Sequence, residues 1–236
     1  MKILLLCLAL VATTARAASD DEVSASFHRP ARDATILLLV DKASAAPLDR
    51  AGAMLEKQLQ KQLAVAGYRT ALVDVADYQA LEASEAAALG EQPQGRLIPA
   101  SDQAKSRALA RLAQIARTES HCEMLIRARI VLRKARLDQQ YAEWDGRRRG
   151  LLFEGVPVHA NSHVVGAGMS GTTNALSVEL VGIDGSGTRD FVTHGGVVMP
   201  LIWNLERHSS SVRTDLFKDD TDVADGLEVA LAPMTH

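Results

Sequence analysis

The sequence predicts an α/β fold on a single mixed sheet: βαβαα, then an antiparallel meander, then a C-terminal helix. Three observations carry this. Near the start, two short apolar runs flank a segment with a helical apolar stripe, the pattern of a parallel βαβ unit. From residue 122 onward the period changes to strict alternation, with turn residues between the alternating runs. The chain is 47% hydrophobic but only 4% aromatic, so a core is affordable and Ala, Leu and Val must pack it.

Residues 1–17 come first and stand apart. Met1-Lys2 gives a charged start, Ile3 to Thr14 is almost unbroken apolar chain, and Ala15-Arg16-Ala17 has the A-x-A form of a cleavage site. This predicts a cleavable signal peptide, cut after Ala17 and too short to stay as a membrane anchor. Cys7 follows Leu6 rather than a small residue, so no lipid attachment is expected. Residues 18–32 are small and polar and read as a flexible leader. Residues 33–236 read as a single α/β domain.

Ala34-Thr-Ile-Leu-Leu-Leu-Val40 predicts a strand buried on both faces. Pro47 then opens a helix whose Leu48, Ala51, Leu55, Leu59 and Leu63 form one stripe, with Lys57, Lys61 and the glutamines toward water. Gly67 ends it, and Tyr68 to Val75 is the second strand, parallel to the first by the right-handed crossover rule. Ala76 to Leu89 is an Ala- and Glu-rich helix, and Gly90 to Ala100 a loop. Ser101-Asp102 caps a third helix with Leu109, Leu112, Ala113 and Ala116 inside.

Met124, Ile126, Ala128, Ile130 and Leu132 alternate with Arg127, Arg129 and Arg133, giving a strand with one apolar and one basic face. The phase slips near Lys134, which predicts a bulge before Ala135 and Leu137. Asp145-Gly146 is a hairpin signal leading into a strand from Arg147 to Glu154. A glycine-rich loop covers 155–173. Leu176, Val178 and Leu180 alternate again, Asp184-Gly-Ser-Gly187 turns, and Thr188 to Met199 returns. Asp222 to Leu231 closes the chain as a helix with acidic residues at its start.

Charge and cysteine content bound the function. The whole chain carries −3, and loss of Lys2 and Arg16 with the leader makes the mature chain more negative, which disfavours nucleic acid. The mature chain keeps Cys122 alone and so forms no intrachain disulfide despite export. With no N-x-S/T acceptor after the leader, a bacterial periplasm is the expected location.

No string names a reaction. Gly166, Gly168 and Gly171 match G-x-G-x-x-G and resemble the opening of flavin-dependent amine oxidases. That motif needs a buried strand before it and a helix after it, and neither pattern is present, so we read a loop and expect no cofactor. His159, His163 and His194 are a candidate metal set, with His194 placed in a Thr-His-Gly-Gly turn, but they lack a ligand spacing and read as solvated loop histidines. Cys122 reads as a small buried residue at a strand start. We assign no catalytic residue and expect no enzyme.

The basic clusters are the remaining candidates: Arg127, Arg129, Arg133, Lys134 and Arg136, then Arg147, Arg148 and Arg149. A hairpin could gather them on one sheet face. They read either as a solvated face neutralised by Asp219, Asp220, Asp222 and Asp225, or as a site for an acidic partner or an anionic lipid headgroup or lipopolysaccharide phosphate.

The first strand Thr35-Ile-Leu-Leu-Leu-Val40, the Leu-rich helix ending at Gly67-Tyr68, the hairpin at Trp144-Asp-Gly146 and the strand pair around Asp184-Gly185 and Gly195-Gly196 carry a resemblance, as does the closing Ala230-Leu-Ala-Pro233. Their layout resembles a group of envelope proteins: the amino-terminal domain of TolB, the curli-secretion lipoprotein CsgG and the penicillin-binding-protein activator LpoB. The resemblance spans most of residues 33–233 as topology. It implies a non-catalytic protein that binds another envelope component. A metal-dependent enzyme or metal carrier using the three histidines, and anionic lipid or lipopolysaccharide binding through the basic strand face, are the alternatives.

Overall fold

The computed structural model describes residues 20–41, 48–91, 100–154, 169–204, 206–207 and 209–235. The signal-peptide reading of residues 1–17 lies outside these residues, as do Pro47, His159, His163, Gly166 and Gly168.

The elements are β1 (Glu22–Val23), β2 (Thr35–Val40), α1 (Asp49–Val65), β3 (Arg69–Leu72), α2 (Val75–Ala88), α3 (Asp102–Ser120) and β4 (Cys122–Gln139). They continue with β5 (Tyr141–Trp144), β6 (Arg147–Gly150), β7 (Met169–Asp184), β8 (Arg189–Val198), β9 (Leu201–Asn204), β10 (Ser209–Val212), α4 (Thr221–Ala230) and α5 (Ala232–Thr235). Among the described residues, ten strands and five helices make an α/β fold on a mixed sheet, as the sequence predicts. The main sheet runs β1-β8-β7-β4-β2-β3, with β5 beside β4 and β6 beside β5, while β9 and β10 form a separate ribbon.

The βαβ reading holds in detail. β2 pairs in parallel with β3 and with β4, so each return needs a helical crossover. Ile36, Leu38 and Val40 face α1 and α4, while Leu37 and Leu39 face α2 and α3. Burial on both faces is why this strand is a continuous apolar run. Ala51, Leu55, Leu59 and Leu63 of α1 are buried, and Gly67 follows the helix at φ 93°, a left-handed backbone that favours glycine. Ser101 caps α3 by accepting from the Ala104 N–H at 3.1 Å.

The structure corrects several readings. The glutamines of α1 do not all face water: Gln58 is buried and donates to Asp220, and Gln62 donates to the Ala224 carbonyl at 2.7 Å. They form a polar seam joining α1 to α4. Residues 20–32 include β1, which pairs with β8 through Glu22 opposite Val192 and Val23 opposite Phe191, rather than forming a flexible leader throughout. Residues 169–173 belong to β7, so the loop reading of 155–173 fails at its C-terminal end. Gly171 therefore opens no helix.

The expected bulge near Lys134 is absent. β4 and β7 stay in register from Met124 opposite Asp184 to Gln139 opposite Met169. The apparent slip is a change of which face is covered. Through Ala128 the even-numbered side chains are buried by α1 and α4; farther along, the odd-numbered Ala135 and Leu137 are buried by the β5–β6 hairpin. This hairpin turns at Asp145-Gly146, both at positive φ, and curls over that face. Its Trp144, with Ala142, Leu151, Phe153 and Met199, makes a small separate core. Trp144 Nε1 donates to the Leu176 carbonyl at 3.2 Å, and Gly196 N–H donates to the Asp145 carbonyl at 3.0 Å, closing the hairpin onto β8.

Gly195 and Gly196 permit two close approaches from opposite sides. A Cβ on Gly195 would sit 1.8 Å from the Gly226 carbonyl oxygen of α4, and one on Gly196 would sit 2.6 Å from Arg147 Cβ. Gly195→Ala must push α4 off the sheet, and we expect a loss on the order of 3 kcal/mol in denaturant unfolding. Gly150→Ala, where a Cβ meets nothing within 4 Å, should lie within about 0.5 kcal/mol of the parent.

Candidate functional site

Between the core under α2 and α3 and the core under the hairpin, the odd face of the sheet carries charge. Alternation places Arg127, Arg129 and Arg133 of β4 on this face, with Ser177 and Glu179 of β7 across the register. Arg127 Nη2 donates to Asp41 Oδ2 at 2.6 Å and its Nε to the same oxygen at 3.2 Å, just past the end of β2. Its guanidinium also lies 5.8 Å from the centre of the Tyr78 ring. Burial pushes the Tyr78 hydroxyl to about 12.

Arg129 faces Glu179 directly in register and donates to it at 2.6 Å. Glu179 in turn lies opposite His194 of β8, with Oε2 3.4 Å from Nε2. His194 Nδ1 stands 2.8 Å from Asp21 Oδ1, and the same carboxylate oxygen accepts the His194 backbone N–H at 2.9 Å. Arg133 completes the row, donating to Asp145 at 3.2 Å and to Asp20 at 2.9 Å. Asp145 also accepts from Ser177 Oγ at 2.6 Å.

These contacts set the protonation states. Burial alone would raise the Glu179 carboxyl and lower the His194 imidazolium. Hydrogen bonds outweigh it in both cases: His194 and Arg129 hold Glu179 at about 2, and Asp21 and Glu179 raise His194 to about 9. At neutral pH His194 is therefore an imidazolium between two carboxylates, 4% exposed, with both ring nitrogens donating. Such a ring offers no lone pair to a metal or to a proton. It also sits within β8 rather than in a turn. Among the described residues no group of three His, Cys, Asp or Glu side chains is arranged to hold a metal ion. Cys122 is buried at the first position of β4, and burial pushes its thiol up, away from the reactive thiolate.

The hairpin arginines go elsewhere. Arg147 and Arg149 both donate to Asp222 Oδ1 at 2.8 Å, with Asp225 at 3.0 and 3.7 Å. The neutralising role expected of the C-terminal aspartates thus holds for Asp222 and Asp225 toward this hairpin. Asp219 and Asp220 instead serve the entry to α4 and the contact with α1. The eight basic residues are not gathered on one face. Arg127 and Arg133 point to the inner charged row, and Lys134, Arg136 and Arg148 point outward.

That outer surface is the even face of the far halves of β4 and β7, beyond the reach of α1 and α4. Leu132 is 60% exposed there and Tyr141 is 40% exposed. Arg148 stacks over the Tyr141 ring at 4.3 Å from its centre. Arg136 and Arg148 share one carboxylate, Glu143, at 3.3 and 3.2 Å, and Lys134 donates to Asn174 at 2.8 Å. The patch keeps a net positive charge beside an exposed leucine and tyrosine.

No family model matches the sequence, and no curated protein matches it. Among solved structures the chain is similar to a dodecameric PelC from Paraburkholderia phytofirmans. The match has a TM-score of 0.40 and 11% identity, over 92% of this chain and 99% of that one. The site is accordingly built from this chain's own residues.

Sequence reasoning missed the acidic half of the inner row: Asp20, Asp21, Asp41, Asp145 and Glu179. Glu179 carried a usable signal, because it is a carboxylate in the polar phase of the Leu176, Val178 and Leu180 alternation, the side that must face the β4 arginines. Asp20, Asp21 and Asp41 carried none, since they lie outside long strands.

Two measurements test the row. The folded His194 value lies above the ordinary 6.5, so its contribution to stability is full below about pH 6.5 and is lost as pH rises through about 9. We expect unfolding free energy to fall by about 3 kcal/mol across that window, less in His194→Gln. Glu179→Ala leaves Arg129 and His194 without their shared counter-charge and should cost about 3–5 kcal/mol in urea unfolding at pH 7.

Proposed function

We propose that the protein is exported to the cell envelope and acts there by binding a protein partner, without catalysis. The observation that carries the reading is the outer patch of the curled hairpin: Leu132, Tyr141, Arg136 and Arg148 on a sheet face that no helix covers among the described residues. Tyr and Arg are the residue types that dominate binding energy at interfaces, and here the pair is already stacked, so little side-chain freedom is lost on docking. Two guanidiniums on one carboxylate leave the patch cationic, which favours an acidic segment on the partner.

The signal-type leader and the resemblance to TolB, CsgG and LpoB support the envelope setting. Among the described residues no helix is long and apolar enough to cross a membrane. The inner arginines contribute little to such a surface. Arg127 and Arg133 keep 14% and 22% of their side-chain exposure, and each already has a carboxylate. An anionic headgroup would have to displace those carboxylates to reach them.

A photo-crosslinking side chain at position 132, in cells that export the protein, tests this. A discrete protein adduct is expected, and it should weaken at least tenfold in an Arg148→Glu background. No adduct, or one unchanged by Arg148→Glu, overturns the reading.

A further inference from the structure

A second region of the molecule combines uncovered charge with uncovered apolar surface, and it shares no residue with the hairpin patch. A cavity of about 690 Å³ opens where the segment after β1, the C-terminal turn of α1 and the last two helices meet. Arg29, Arg32 and Lys61 line it, against one carboxylate among the described residues, Glu228. Val65 stands at its edge, 84% exposed, the most exposed large apolar side chain among the described residues. Leu231 and Met234 lie at its base.

The three cations come from two separate segments and converge on one opening. Elsewhere the arginines of β4 and β6 are matched to carboxylates within hydrogen-bonding reach. Here Arg29 donates its Nε to the Pro233 carbonyl at 3.2 Å, which fixes the stem and leaves the terminal nitrogens of the guanidinium without an ion-pair partner among the described residues. Arg32 and Lys61 likewise have no ion-pair partner among the described residues, and the Arg32 stem is 3.8 Å from the position a Cβ would take on Gly67. A guanidinium anchored at Nε presents two parallel N–H groups, the geometry that grips a carboxylate or phosphate through two oxygens. The volume is that of a small-molecule site.

We propose that this cavity binds an anionic amphiphile: a carboxylate or phosphate headgroup held by Arg29, Arg32 and Lys61, with its hydrocarbon portion over Val65 and toward Met234. The excess of positive charge selects the headgroup, and the exposed valine gains cover from the tail. Glu228 opposes the headgroup and tunes the affinity downward.

Calorimetric titration of the purified chain with decanoate, decyl phosphate, decanol and inorganic phosphate tests it, below the micellar concentration of each amphiphile. Decanoate and decyl phosphate should bind saturably, and decanol and inorganic phosphate at least tenfold more weakly. Arg32→Gln with Lys61→Gln should lower decanoate affinity at least tenfold, and Glu228→Gln should raise it severalfold. These positions are exposed, so an unchanged thermal midpoint separates lost binding from lost fold. Equal affinity for decanol, equal affinity for inorganic phosphate, or a double variant that binds decanoate like the parent would each overturn the proposal. A failed crosslink at Leu132 leaves this result untouched, because the two surfaces share no residue.

Discussion

The pairing of β4 with β7 is the constraint from which the rest of the molecule follows. β4 has 18 residues and so extends about 60 Å, whereas α1, with 17 residues, covers about 25 Å. No helix among the described residues can shield the full length of such a ladder. The near half is covered on both faces by helices. The far half solves the problem differently, by curling the β5–β6 hairpin over one face, while among the described residues no helix covers the other.

The charged row sits at the seam between those two solutions. There the odd face passes from helix cover to hairpin cover, and the gap is filled by Arg127, Arg129 and Arg133 with acidic groups brought from four other places. Pairing buried charges adds little over an apolar packing, since each ion gives up hydration. Its effect is on register. A one-residue slip of β7 along β4 would turn Glu179 to the opposite face and strand Arg129 and His194. The row thus penalises each alternative alignment of a long ladder whose small apolar residues would otherwise discriminate weakly.

The sequence made the first half of the fold legible because periodicity there reflects burial directly. The stripe Ala51, Leu55, Leu59, Leu63 and the run Thr35–Val40 each have one structural reading, and Gly67 and Ser101 mark helix ends by backbone chemistry. The second half was legible in type and less so in detail. At Lys134 the pattern recorded a change of cover, which in one dimension looks the same as a bulge. β9 and β10 were not anticipated, since Ser209, Ser210 and Ser211 have neither alternation nor strand propensity. For the site, the arginines were visible as a cluster, but their partners Asp20, Asp21 and Asp41 are distant in sequence and isolated in composition. Long-range ion pairs leave no periodic trace. The acidic half of the row needed the fold to become visible.

Net charge misleads in this chain for the same reason. The sequence is acidic overall, yet Asp20, Asp41, Glu143, Asp145, Glu179, Asp222 and Asp225 are matched to the arginines of β4 and the hairpin. What a ligand meets is the remainder. That remainder is cationic in two places, at Lys134, Arg136 and Arg148 and at Arg29, Arg32 and Lys61. Each lies beside a large apolar side chain exposed by more than half, Leu132 or Val65. Exposed apolar surface is common on proteins, and so are surface cations. Here they coincide, once on a sheet face and once at an open cavity. Local field rather than total charge decides which molecules approach them.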